Sequence, residues 1–329
     1  MKTKLIKWLR AHCGGAGIEM EVRNGRYFEL TTALSCQAIA TANRSRIRLS
    51  SLTDAEFRGF SQWGEDGIID WLVERLSGIP ETFIEFGVSD YREANTRLLL
   101  QLRNWRGLVM DGSEANIRSI QAQDLYWRHE LTARCAFIDR DNINQVIAAS
   151  GLQGDIGLLS IDIDGNDYWI WQAIDAVSPV IVVCEYNAVL GDRCALTVPY
   201  RADFQRTREH HSNLYFGASI RALVALGKSK GYSFVGTTST GCNAFFVRND
   251  HADSIVAAVE RICAFPSKFR EARDAAGGLL FTSGKQRRTL IDHLVLMDPV
   301  AGVSRDLASW GEIYSPEWIE GRKVEFGNT

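Results

Sequence analysis

Five acidic residues close or nearly close apolar runs in the middle of this chain. They are Glu85 in Thr82-Phe-Ile-Glu-Phe, Asp111 in Gly107-Leu-Val-Met-Asp, Asp139 in Ala136-Phe-Ile-Asp, Asp162 in Gly157-Leu-Leu-Ser-Ile-Asp and Glu185 in Val180-Ile-Val-Val-Cys-Glu. Positions 85, 111, 139, 162 and 185 are separated by 26, 28, 23 and 23 residues. Each interval holds about one strand, one helix and two short loops. Strands alternating with helices make a parallel sheet. Ligands of such sheets bind outside the carboxyl ends of the strands. All five carboxylates are therefore expected along one edge, facing one site.

The boundaries follow from the same pattern. A helix is expected over 54–78, strands over 82–86, 107–111, 131–138, 156–162 and 180–185, and helices near 92–103, 114–123, 141–150 and 166–175 between them. Residues 188–214 are polar and irregular, a length that in a compact domain is functional or disordered. A helix at 217–230 precedes two strands, Tyr232-Ser-Phe-Val-Gly and Asn243-Ala-Phe-Phe-Val-Arg, whose short link suits an antiparallel hairpin. From 251 onward the chain reads as mostly helical. The expected organisation is an N-terminal extension at 1–53, with a short basic helix at its start, a central domain at 54–250 and a C-terminal helical extension at 251–329.

With 46% hydrophobic residues the chain can bury a full core, and a net charge of −3 gives no reason to expect a nucleic-acid partner. The cysteine count is seven, an odd number, with no Cys-x-x-Cys spacing. Cys135 and Cys184 fall inside strand runs, where a thiol acts as a small buried hydrophobe. This usage points to a reducing compartment, read as cytoplasmic. No apolar stretch reaches the roughly 18 residues of a transmembrane helix.

In Phe83-Ile-Glu-Phe-Gly-Val-Ser-Asp90, an acid late in the first strand is followed by Gly87 at the strand–helix turn, where a ligand can approach the backbone. Asp111, at the tip of the second strand, is placed to bind ribose hydroxyls. The two together favour an adenosine-containing cofactor. The glycine fingerprint of a pyrophosphate site is absent. S-adenosylmethionine, which carries no phosphate, fits better than NAD.

The segment Phe60-Ser-Gln-Trp-Gly-Glu-Asp66 and the motif Ser160-Ile-Asp-Ile-Asp-Gly165 resemble the Ser-Gln-x-Gly-Glu-Asp segment and strand-four motif of the FkbM family, within the class I S-adenosylmethionine-dependent methyltransferases. The similarity covers roughly residues 58–248. It implies an α/β, Rossmann-like seven-stranded methyltransferase sheet, mostly parallel with a C-terminal antiparallel hairpin, flanked by helices. It also implies that Glu85, Gly87 and Asp111, with Gly112 and Ser113 after it, hold the methionine and ribose parts, that Asp139 meets the adenine, and that Gln62 and Glu65 close over the cofactor, with Asp162 beside it. The sequence departs from the family's first motif: Glu-Phe-Gly-Val-Ser-Asp-Tyr lacks the later glycine.

Asp162 and Asp164 are expected on one face of a strand. With Glu185 and Asn187 they would make an oxygen-only set suited to Mg²⁺ or another divalent cation. The alternative is that these acids cap helices and bind the acceptor by hydrogen bonds. His211, beside His210 in the long loop, is a candidate base, with Asp162 and Glu185 the other catalytic candidates. Tyr186, Asn213 and Tyr215 are candidate acceptor-pocket residues, and Tyr168-Trp-Ile-Trp171 reads as helix packing.

The expected activity is O-methylation of a hydroxyl on a sugar or other polar small-molecule or glycan acceptor. Two rivals remain open: a metal-dependent glycosyltransferase using Asp162-Ile-Asp164 on a nucleotide-sugar, and a non-catalytic binding protein on a methyltransferase fold. The terminal segments could cover the site or form a homodimer face.

Overall fold

The computed structural model describes residues 27–327. The expected basic helix at the start of the chain and Cys13 lie outside these residues. Seven strands form one sheet: β1 (Thr82–Phe86), β2 (Arg106–Asp111), β3 (Leu131–Cys135), β4 (Gly154–Ile161), β5 (Val177–Glu185), β6 (Tyr232–Thr237) and β7 (Asn243–Arg248). Their order is β3-β2-β1-β4-β5-β7-β6. Neighbours from β3 to β5 pair in parallel, and β7 inserts antiparallel between β5 and β6. This is the expected Rossmann-like seven-stranded sheet, mostly parallel with an antiparallel pair at one edge. Its central strands are buried on both faces, which is why they read as unbroken apolar runs.

The flanking helices are α1 (27–44), α2 (Glu65–Arg75), α3 (Arg97–Arg103), α4 (Glu114–Gln121), α5 (Asp124–Arg128), α6 (Ile143–Ala148), α7 (Asp167–Ala173), α8 (Arg206–Glu209), α9 (Ile220–Ser229) and α10 (Asn249–Ala258). They cover both faces, with Trp71 of α2 and Trp171 of α7 among the largest fully buried side chains. The order of strands reverses at β1, which pairs with β2 on one side and β4 on the other. A crevice opens at that point, outside the carboxyl ends.

Two expectations are corrected. The helix expected over 54–78 is only α2. Residues 56–64 are instead a loop, because the Asp66 carboxylate accepts from the backbone N–H groups of Gly59, Phe60 and Ser61 at 2.6–2.8 Å and from the Ser61 hydroxyl. The stretch after 250 is not mainly helical. Beyond α10 and a short α11 (Pro316–Ile319) it is loops, two 3-10 turns and small antiparallel pairs. Those pairs are β8 (Cys263–Ala264) with β11 (Val324–Glu325), and β9 (Val295–Asp298) with β10 (Val303–Asp306). Its aromatic residues serve as clips rather than as a helix stripe: Tyr314 Oη donates to Val189 O and Trp318 Nε1 to Ala188 O, just past β5. Cys135 is exposed, at the end of an edge strand, while Cys184 is buried as expected, and the cysteines among the described residues are unpaired. Among the described residues no helix is long and apolar enough to cross a membrane.

Candidate active site

The turn after β1 forms the floor of the crevice. Gly87 has φ +73°, and a Cβ there would sit 1.6 Å from the carbonyl oxygen of Asp162. Glycine is thus required by the crossing of two backbones, before any ligand is considered. The later glycine missing from the first motif is replaced by residues that accept the left-handed region: Ser89 at φ 48° and Tyr91 at φ 62°. Tyr91 is fully buried and hydrogen-bonds Thr96 Oγ1 at 2.9 Å, packing that holds an otherwise disfavoured conformation. Glu85 lines the crevice, but both its oxygens are engaged by the start of α3. They accept from Asn95 N, Thr96 N and Thr96 Oγ1 at 2.8, 2.9 and 2.5 Å. Burial pushes its carboxyl up to about 7 despite these donors.

The crevice has two lobes that share Gly87, Ser89, Asp162 and Asp164. The first encloses about 230 Å³ between Asp111, Gly112, Phe137, Ile138, Asn166 and Phe204. Asp111 is preorganised there, with Oδ2 accepting from Ser89 N and Oδ1 from Ser113 N and Asn116 Nδ2, all at 2.8–2.9 Å. Ser113 caps α4 through Asn116 N. Asp139 does not reach the lobe. Its Oδ1 accepts from Asp141 N and Asn142 N at the start of α6, and Phe137 and Ile138 form the wall instead.

The second lobe encloses about 470 Å³. The Ser61–Asp66 loop brings Gln62 and Trp63 to it. Glu65 stays buried behind, accepting from Trp63 N at 2.9 Å and from Asn243 Nδ2 at 2.8 Å, so its role is to hold the wall rather than to close over a ligand. Trp63 stacks on Phe269, with centroids 5.8 Å apart. Beyond them lie Asp162, Asp164 and Glu185, each with an oxygen within 4.8 Å of the others.

Asp162 and Asp164 lie past the end of β4, not on one strand face, and Asp164 has φ +56°. The acid that holds this turn is Asp167, whose carboxylate accepts from Ile163 N at 2.8 Å and Gly165 N at 2.9 Å. Burial and the neighbouring Asp164 and Asp167 charges raise the Asp162 carboxyl above its usual range. Burial, Asp162 and Asp164 do the same to Glu185, whose Oε2 is buried without a partner.

Arg206, at the head of α8, has no counterpart among the residues expected from the sequence. Its Nη1 donates to Asp164 Oδ1 at 2.7 Å, Nη2 to Glu271 Oε2 at 2.5 Å and Nε to Asn213 O at 2.7 Å, and its guanidinium carbon lies 3.7 Å from the Phe216 ring centroid. Glu271 and Phe269 come from the C-terminal segment, which therefore completes the cleft. A lone arginine in a polar loop carries no spacing signal. The excess of acids at the strand ends was the only hint that a base must meet them.

Of the four-residue cation set expected from the sequence, Asp162, Asp164 and Glu185 come together, and Asn187 does not join them. Asn187 is a buried clamp, donating Nδ2 to Leu214 O and Phe216 O and accepting from Val189 N. Asp164 is already paired with Arg206. His211 is exposed, packs its ring 4.2 Å from that of His210 and does not line the cleft. Tyr186 and Tyr215 donate their hydroxyls to Phe265 O and Val295 O, and with Asn213 they stand outside the lining. Tyr168, Trp169 and Trp171 are buried packing residues, as read.

Neither a protein-family model nor a curated protein matches the chain. Among solved structures, the chain is similar to the N-terminal domain of EvdMO1 with SAH bound (12% identity, 57% of this chain and 82% of that one, TM-score 0.38). It is also similar to an S-adenosylmethionine-dependent methyltransferase from Clostridium acetobutylicum (12%, 56% and 90%, 0.35) and to an O-methyltransferase family protein from Burkholderia thailandensis (14%, 66% and 71%, 0.34).

Proposed function

We propose that this chain is an S-adenosylmethionine-dependent O-methyltransferase of FkbM-like type, acting on a hydroxyl of a sugar or similarly polar small molecule. The observation that carries the reading is the two-lobed crevice at the strand-order reversal, with Asp111 fixed at the tip of β2. Asp111 holds the ribose hydroxyls with the lone pairs its three donors leave free, while Phe137 and Ile138 cover the adenine. The cofactor supplies a methyl group on a sulfonium.

In the second lobe, Trp63 and Phe269 give a flat apolar wall for the acceptor. The raised carboxylates of Asp162 and Glu185 take the proton that its hydroxyl gives up. Most of the rate gain comes from holding the two reactants in attack geometry.

The test is transfer of labelled methyl from S-adenosylmethionine to a panel of glycosides and polyols, beside a nucleotide-sugar control. Label in an acceptor, lost in Asp111→Ala, supports the reading. No label, together with nucleotide-sugar turnover dependent on Mg²⁺, overturns it in favour of the glycosyltransferase.

A further inference from the structure

The second lobe is lined by six carboxylates, from Glu85, Glu93, Asp162, Asp164, Glu185 and Glu271, and among its described residues Arg206 is the one basic side chain. Glu85 is satisfied by the start of α3, and Glu93 is paired at the surface with Arg58. The other four converge on Arg206. Two of them, Asp164 and Glu271, bind it directly, and Asp162 and Glu185 each place an oxygen within 4.8 Å of Asp164. Its Nε, Nη1 and Nη2 each donate a hydrogen bond, and only 13% of the side chain is exposed. A guanidinium is weakly hydrated and permanently charged, so it tolerates this burial better than an ammonium would. Like-charged carboxylates within 4.8 Å require a positive charge or protons between them.

We propose that Arg206 is the built-in cation of this cleft. It does for the Asp162, Asp164, Glu185 and Glu271 carboxylates what a divalent ion does in a carboxylate cluster. Ligand binding therefore needs no metal, and removing the guanidinium opens a cation site. Arg206 is also a positioning residue: it ties the end of β4, the 188–214 loop and the C-terminal segment to one another through Asp164, Asn213 O and Glu271. This charge balance holds whatever the acceptor is.

The test titrates Mn²⁺ into wild type, Arg206→Ala, Arg206→Lys and Arg206→Ala/Glu185→Gln, with S-adenosylhomocysteine binding measured on the same preparations. Wild type and Arg206→Lys are expected to bind no stoichiometric Mn²⁺, and chelator to leave wild-type S-adenosylhomocysteine affinity unchanged. Arg206→Ala is expected to take one Mn²⁺ per chain, at least about tenfold tighter than wild type, and the Glu185→Gln change to abolish it. If Arg206→Ala unfolds below the assay temperature, Arg206→Gln reads the same loss of charge with the methylene stem and a hydrogen-bonding amide kept. One Mn²⁺ bound by wild type, or none gained by any folded variant lacking the charge, overturns the proposal. Absence of S-adenosylhomocysteine binding in wild type would count against the methyltransferase reading alone and leave the Mn²⁺ comparison intact.

Discussion

Replacing Gly87 by alanine tests the floor of the crevice. At φ +73° a non-glycine residue is disfavoured by about 1–2 kcal/mol. The new Cβ would also lie 1.6 Å from Asp162 O, so the turn or the end of β4 must shift by more than 1 Å. Forced overpacking of this kind costs about 1–3 kcal/mol. The two effects together make about 2–5 kcal/mol, a melting drop of roughly 3–7 °C for a chain of this size. Because Asp162 and Ser89 line both lobes, the shift should also weaken S-adenosylhomocysteine binding at least about tenfold. Gly112→Ala is the matched control. Its Cβ meets only Phe137 Cδ2, at 3.6 Å, so stability should change by less than about 0.5 kcal/mol while the methyl group intrudes on the first lobe and weakens binding. Thermal melts and calorimetry on both variants separate the effects. A Gly87→Ala protein that melts with wild type and binds equally well would refute the reasoning.

Removing the Asp66 carboxylate strips the acceptor from three backbone N–H groups and one hydroxyl. Asp66→Ala should therefore cost about 3–5 kcal/mol, read by denaturant unfolding; a cost under about 1 kcal/mol would show that the 56–64 loop does not depend on it. Glu85 is raised by burial to about 7, with Asp66 and Asp167 raised to about 6. The folded state holds these protons more tightly than the unfolded state. The stability they contribute is fully present below the unfolded values and is lost as pH rises through about 6 to 7. Melting temperature should accordingly fall between pH 5 and pH 7.5, and a rise over that window would contradict the assignment. His211→Ala, outside the cleft, should leave methyl transfer within about twofold of wild type; a much larger loss would place it in the reaction.

The sheet was legible because β1, β2, β4 and β5 are buried on both faces and so written as apolar runs, and each begins and ends within three residues of expectation. The helices came out shorter, because side-chain turns such as those of Asp66, Asp139 and Asp167 take backbone donors that periodicity alone assigns to a helix. The same competition explains the site. Asp111, Asp162, Glu185 and Gly87 reach the crevice because strand ends and a glycine turn dictate their place, and Gln62 because the loop held by Asp66 carries it there. Asp139 ends a run in the same way, yet its carboxylate is captured by its own turn. Arg206, Phe269 and Glu271 arrive from a loop and from the C-terminal segment, whose route depends on tertiary contacts such as Tyr314 and Trp318 against the end of β5. Neither spacing nor composition encodes that route.

The most direct measurement is calorimetric titration of the wild-type chain and of Asp111→Ala with S-adenosylhomocysteine. One site per chain in the wild type, lost or weakened at least about a hundredfold in the variant, is the expected result. No binding to the wild type, or equal binding by both proteins, would contradict the assignment of the crevice to this cofactor.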